Sequence, residues 1–120
     1  MKLFICNAFS LSMLDREVQA RKPGDAEFES ARYPVPCSDE LLSEYCRMML
    51  DGRIEWESAV GHESTASLFA NELGLPILTN RVSIKLSKDE MCLIGQYSGP
   101  RLPEGATELP EGARIEWWLI

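Results

Sequence analysis

The segment Leu3-Phe4-Ile5-Cys6 is apolar at every position, so a strand made from it needs cover on both faces, which the middle of a sheet provides. Asn7-Ala8-Phe9-Ser10 then brings in polar groups at the strand's carboxyl end, the edge where open α/β sheets place their ligands. Strand and helix patterns intermix through the rest of the chain. Together these features predict an α/β fold with a mixed central β-sheet and packed α-helices. The 120 residues form a single domain, 1–120, large enough to bury a core without staples.

Ser10 is placed to cap a short turn of helix through Leu14. Glu17 to Ala20 and Glu27 to Tyr33 read as strands joined at Pro23-Gly24-Asp25, and Pro34 and Pro36 end the extended stretch. Ser38-Asp39-Glu40 opens a helix whose Leu41, Leu42, Tyr45, Met48 and Met49 recur at helical spacing. Residues 52–60 stay open between a strand, with Ile54 and Trp56 on one face, and an irregular approach to His62. A helix from Ser64 to Leu73 buries Ala66, Phe69, Ala70 and Leu73, and Gly74 and Pro76 stop it. Arg81 to Leu86 alternates strictly, which predicts a strand with Val82, Ile84 and Leu86 inward and Arg81, Ser83 and Lys85 outward. Ser87 to Glu90 turns into a strand over Met91 to Tyr97, and Arg114 to Ile120 forms the last strand.

Nineteen acidic residues against twelve Lys and Arg give a formal charge of −7, so a broad footprint for duplex nucleic acid is missing. Any anionic ligand must be held by a local site. Cys6, Cys37, Cys46 and Cys92 form no C-x-x-C pair, and three of them lie in apolar stretches, which reads as unpaired core thiols in a reducing cytosol. A zinc site from Cys37, Cys46 and His62 matches no compact ligand spacing; no metal and no cofactor is expected. Asn7 interrupts the apolar start, and Asp15, Arg16 and Glu17 follow too soon for a signal peptide. No apolar run approaches the ~20 residues that span a bilayer. The expectation is a cytoplasmic protein with no membrane partner.

His62 is the one histidine, and Gly61-His62-Glu63-Ser64-Thr65 sits directly before the 64–73 helix. An imidazole transfers protons near neutral pH, and a helix N-terminus offers free N–H groups and a positive dipole to an anion. Phosphate handling is the chemistry this pair suggests. Asn7-Ala8-Phe9-Ser10, the Asn80 to Leu86 segment and Arg101-Leu102-Pro103-Glu104-Gly105 complete the set. In this order the four segments resemble the viral type III anti-CRISPR ring nucleases and their cellular relatives, over residues 2–14, 60–86 and, more loosely, 91–120.

The resemblance implies a homodimer that binds cyclic tetra-adenylate, the second messenger of type III CRISPR systems, and cleaves it without metal. In the family's pattern His62 is the general acid, with Arg101 and Glu104 assisting at the scissile phosphate. Asn7, Ser10, Ser64, Thr65 and Arg81 fall at ligand-binding positions. Ser98-Gly99-Pro100, before Arg101, is a local insertion relative to that pattern. Several bland readings stand beside these roles. Arg81 and Lys85 also fit a solvated strand face, Glu104 an ordinary loop carboxylate, and Trp117 and Trp118 packing or a subunit interface. The rival functions are a module that sequesters cyclic oligoadenylate uncut, and a small DNA-binding or virion-associated protein, which an acidic chain without a basic helix fits worst.

Overall fold

A computed structural model describes residues 2–14, 33–103 and 105–120. The apolar opening segment forms β1 (Lys2–Cys6), and it is central as its composition requires. Parallel neighbours flank it, β3 (Glu55–Ser58) on one side and β4 (Glu90–Ser98) on the other. β5 (Arg114–Leu119) runs antiparallel to β4, and the short β2 (Val35–Pro36) pairs with the far edge of β5. The sheet order is β2-β5-β4-β1-β3, a mixed five-stranded α/β sheet.

Both helices, α1 (Asp39–Leu50) and α2 (Glu63–Leu73), pack on one face of the sheet. Ser38 caps α1 by accepting the Leu41 N–H at 3.2 Å. Cys46 and Met49 of α1 join Ala66 and Phe69 of α2 in a core with Leu3, Ile5 and Leu93; Leu41 stays exposed. α2 is seated by a contact that only glycine permits. A Cβ on Gly95 would lie 2.6 Å from the Phe69 ring and 2.7 Å from that of Trp117. Those two rings meet with centroids 4.9 Å apart. Gly74 then ends α2 in the left-handed conformation, φ 66°. Since β1 and β3 both run toward the N-terminus of α2, this packing sets His62 at the carboxyl edge of the sheet. On the opposite face Phe4, Cys6, Cys92, Ile94 and Ile120 are covered, among the described residues, by Leu14 and Leu86.

One open stretch is decided and three expectations change. Residues 55–58, whose short pattern admits either reading, are a strand because β1 supplies a parallel partner. Val35 and Pro36 pair with Leu119 and Trp118, and the edge position tolerates a proline that has no N–H to donate. The 81–86 alternation does not make a ladder strand: only Leu86 bridges, to Leu14, and burial falls away from Leu86 through Ile84 to the exposed Val82. Cys6 and Cys92 are joined as a disulfide between β1 and β4, since the register places both on one face of neighbouring strands. Unpaired thiols remain at Cys37 and Cys46, where burial pushes both above the ordinary thiol range. The compartment inferred from four free thiols loses its basis. The strands expected over 17–20 and 27–33 lie outside the described residues, apart from the exposed Tyr33. No helix among the described residues is long and apolar enough to cross a membrane.

Candidate phosphate-binding site

Three parallel strands end along one edge of the sheet, and each hands its following loop to the same region. β1 leads into Asn7 to Met13, β3 into Ala59 to His62, and β4 into Gly99 to Gly105. Among the described residues, two clefts there border His62. The first, about 750 Å³, is lined by Asn7, Ser10, His62 and Arg81 among others. The second, about 860 Å³, is lined by His62, Ser64, Thr65 and Arg101. His62 alone borders both.

His62 is the N-cap residue of α2, with an extended backbone (φ −124°, ψ 132°). Its carbonyl accepts the Ala66 N–H at 2.9 Å, but its side chain makes no capping bond. The imidazole is exposed and has no hydrogen-bond partner among the described residues. The first-turn N–H groups of Glu63, Ser64 and Thr65 have no acceptor within the helix and belong to residues of the second cleft. On the far wall of that cleft the Tyr97 hydroxyl donates to the Pro100 carbonyl, which closes the chain over Ser98-Gly99-Pro100 just before Arg101. Arg101 lines the same cleft as His62. Glu104, the third expected catalytic residue, lies outside the described residues.

The first cleft is held together by donors from the segment that the sequence presented as a strand. Asn80 donates through Nδ2 to the Ser58 carbonyl at 2.7 Å and through its backbone N–H to that of Val60 at 2.8 Å. Arg81 donates through Nε to the Gly61 carbonyl at 2.6 Å. These bonds tie residues 80–81 to the β3–α2 loop, and that is why no ladder forms. Further along, Lys85 donates to the Ser12 carbonyl, and Leu86 N–H to that of Met13 at 2.6 Å. Ser10 does not cap the turn through its hydroxyl: its carbonyl accepts the Met13 N–H at 3.0 Å, and its Oγ lies 2.7 Å from that of Ser12. Ser12 is a cleft residue that no motif singled out. Ser83 and Lys85 fall within the Asn80 to Leu86 segment, which assigned a role to Arg81 alone, and alternation places them beside it.

Charge pairing is uneven among the described residues. Lys2 pairs with Glu57 at 2.8 Å, Arg53 with Asp51 at 3.1 Å and Arg114 with Glu116 at 3.0 Å. The hydrogen bond between Lys2 and Glu57 raises the ammonium above its ordinary pKa and lowers the carboxyl. Arg81, Lys85 and Arg101 have no carboxylate partner among the described residues. Among the described residues, no group of three or more His, Cys, Asp or Glu side chains gathers as a metal site. The arrangement suits an anion held by cations and backbone N–H groups, with an imidazole between.

No curated protein matches the chain. Its fold is similar to that of B116 of Sulfolobus turreted icosahedral virus, with a TM-score of 0.69 and 24% identity over 99% of this chain and 97% of that one. A family model described as STIV B116-like matches residues 3–116, and the chain belongs to that family.

Proposed function

We propose that the protein is a ring nuclease, a homodimeric phosphodiesterase that binds cyclic tetra-adenylate and opens it, switching off type III CRISPR signalling in the host cytoplasm. The observation that carries the reading is the position of His62, exposed at the start of α2 and shared by two clefts that hold Arg81 on one side and Arg101 on the other.

The chemistry asks little beyond these groups. A ribose 2′-oxygen attacks the adjacent phosphorus, the P–O5′ bond breaks, and the products carry a 2′,3′-cyclic phosphate and a 5′-hydroxyl. His62 delivers the proton that the leaving 5′-oxygen needs, a contribution worth about 10²–10⁴-fold. Arg101 holds the phosphate oxygens as charge builds in the transition state, and Glu104 takes the 2′-hydroxyl proton. No water molecule is consumed in this step. A two-fold dimer presents each group twice, so a ring lying across the axis meets two equivalent sites, and the cations that face its four charges are doubled.

A ring whose 2′-hydroxyls are replaced by hydrogens tests this route. It should bind and stay intact; cleavage of that analogue would refute internal attack.

A further inference from the structure

We infer that the first cleft contains a second phosphate position, centred on Lys85, so that the site engages an oligonucleotide through two backbone phosphates at once. This rests on reading the cleft as an oligoadenylate site and adds an anchor beyond the residues assigned by the motifs.

Three observations carry it. The first is charge: in a chain of net charge −7, no Asp or Glu lines this cleft among the described residues, whereas Arg81, Lys85 and His62 do. The second is separation. Arg81 is anchored to Gly61 on the β3–α2 loop, and Lys85 to Ser12 on the loop after β1, so the two cations belong to different walls. The third is spare donor capacity. An ammonium has three N–H donors, and Lys85 spends one on a carbonyl; a guanidinium has five, and Arg81 spends its Nε–H. Neither cation meets a carboxylate among the described residues, so their charge is available to a ligand. The hydroxyls of Ser10, Ser12 and Ser83 line the same cleft and add neutral donors. One phosphate sits at Arg81, beside His62. The other sits at Lys85 and fixes the register of the backbone.

The test compares wild type, Lys85→Gln and Lys85→Arg by calorimetric titration with adenosine 5′-monophosphate, linear tri-adenylate and the 2′-deoxy cyclic ring, between 50 and 200 mM salt. Glutamine keeps a donor for the Ser12 carbonyl, and thermal unfolding checks that the fold is retained. On single strands each neutralised phosphate contributes about 0.7 to the slope of log affinity against log salt. Lys85→Gln should reduce that slope by about 0.7 for whichever oligoadenylate binds and leave the monophosphate within about twofold, and Lys85→Arg should restore it. An unchanged slope in Lys85→Gln, or failure of wild type to bind either oligoadenylate, would overturn the inference. Cleavage of the cyclic ring is followed in parallel. Cleavage without Lys85 dependence removes only the second position, and a Lys85-dependent slope without cleavage removes only the nuclease reading.

Discussion

Arg81 donates through Nε to the carbonyl oxygen of Gly61 at 2.6 Å, one residue before His62. The bond fixes the plane of the guanidinium and leaves its two terminal nitrogens as a fork, so the cation and the histidine are positioned by a single loop. Lysine would keep the charge but has no second nitrogen to be held by Gly61 while the first binds phosphate. Arg81→Lys should therefore weaken binding of cyclic tetra-adenylate about tenfold, the size of one charge-assisted hydrogen bond, as read by titration calorimetry.

Asn80 works on the same loop from the other side, giving Nδ2 to the Ser58 carbonyl at 2.7 Å and reaching Glu57 at 3.4 Å. In Asn80→Asp an acceptor replaces the donor without a change of size. At neutral pH it should destabilise the fold by about 1–3 kcal/mol, since a carboxylate then faces a carbonyl and another carboxylate. Both neighbours raise the new carboxyl's folded pKa above its unfolded value of about 4. The penalty should accordingly be present above that pH and shrink as pH falls through the folded pKa. Denaturant unfolding of both proteins between pH 4 and 7 checks the sign.

Gly95 marks the place where α2 meets the sheet. An added methyl group would overlap Phe69 and Trp117 at once, and both rings are packed against the core. Gly95→Ala should cost about 1–3 kcal/mol of stability by thermal unfolding. The loop that carries His62 should suffer with it, since the seat of α2 determines where His62 stands.

Cys6 and Cys92 lie 86 residues apart in sequence and are joined across β1 and β4. Closing a loop of that length restricts the unfolded chain by an amount worth about 4.5 kcal/mol in the chain-entropy picture, and typical measured values are about 2–4 kcal/mol. Reduction, or a Cys6→Ser, Cys92→Ser double replacement, should lower the melting temperature by about 8–16 °C for a domain of this size. Thiol labelling of the unreduced, unfolded protein should count only Cys37 and Cys46.

Elements with local punctuation were legible in the sequence. α2 announced itself by its apolar spacing and by Gly74 and Pro76, α1 by Ser38, and β1 by a run too apolar for an edge. What escaped depends on partners distant in the chain. β3 and β2 are strands only because β1 and β5 lie alongside, and no pattern within four residues, or two, can encode that. The alternation of 81–86 was real, but it reflects a loop whose donors go to Gly61, Ser12 and Met13 and whose far end is buried at Leu86. The disulfide follows from register, which sequence spacing does not contain. At the site, the motifs named Asn7, Ser10, His62, Ser64, Thr65, Arg81 and Arg101; the structure puts Asn7, Ser10 and Arg81 on one cleft and Ser64, Thr65 and Arg101 on another, with His62 on both, a partition the motifs do not contain. Ser12 had no motif to flag it, and Lys85 lay within the Asn80 to Leu86 segment without an assigned role.

The central claim is that His62 drives ring opening by proton transfer, and one experiment addresses it directly. Purified wild type and His62→Ala are incubated with cyclic tetra-adenylate in excess EDTA, products are identified by mass, and binding is measured alongside. The account predicts linear adenylates ending in a 2′,3′-cyclic phosphate from wild type, a rate about 10²–10⁴-fold lower for His62→Ala, and similar affinity in both. An intact ring bound equally by both proteins would contradict it and make the chain a sequestering module; undiminished cleavage by His62→Ala would remove the histidine from the chemistry.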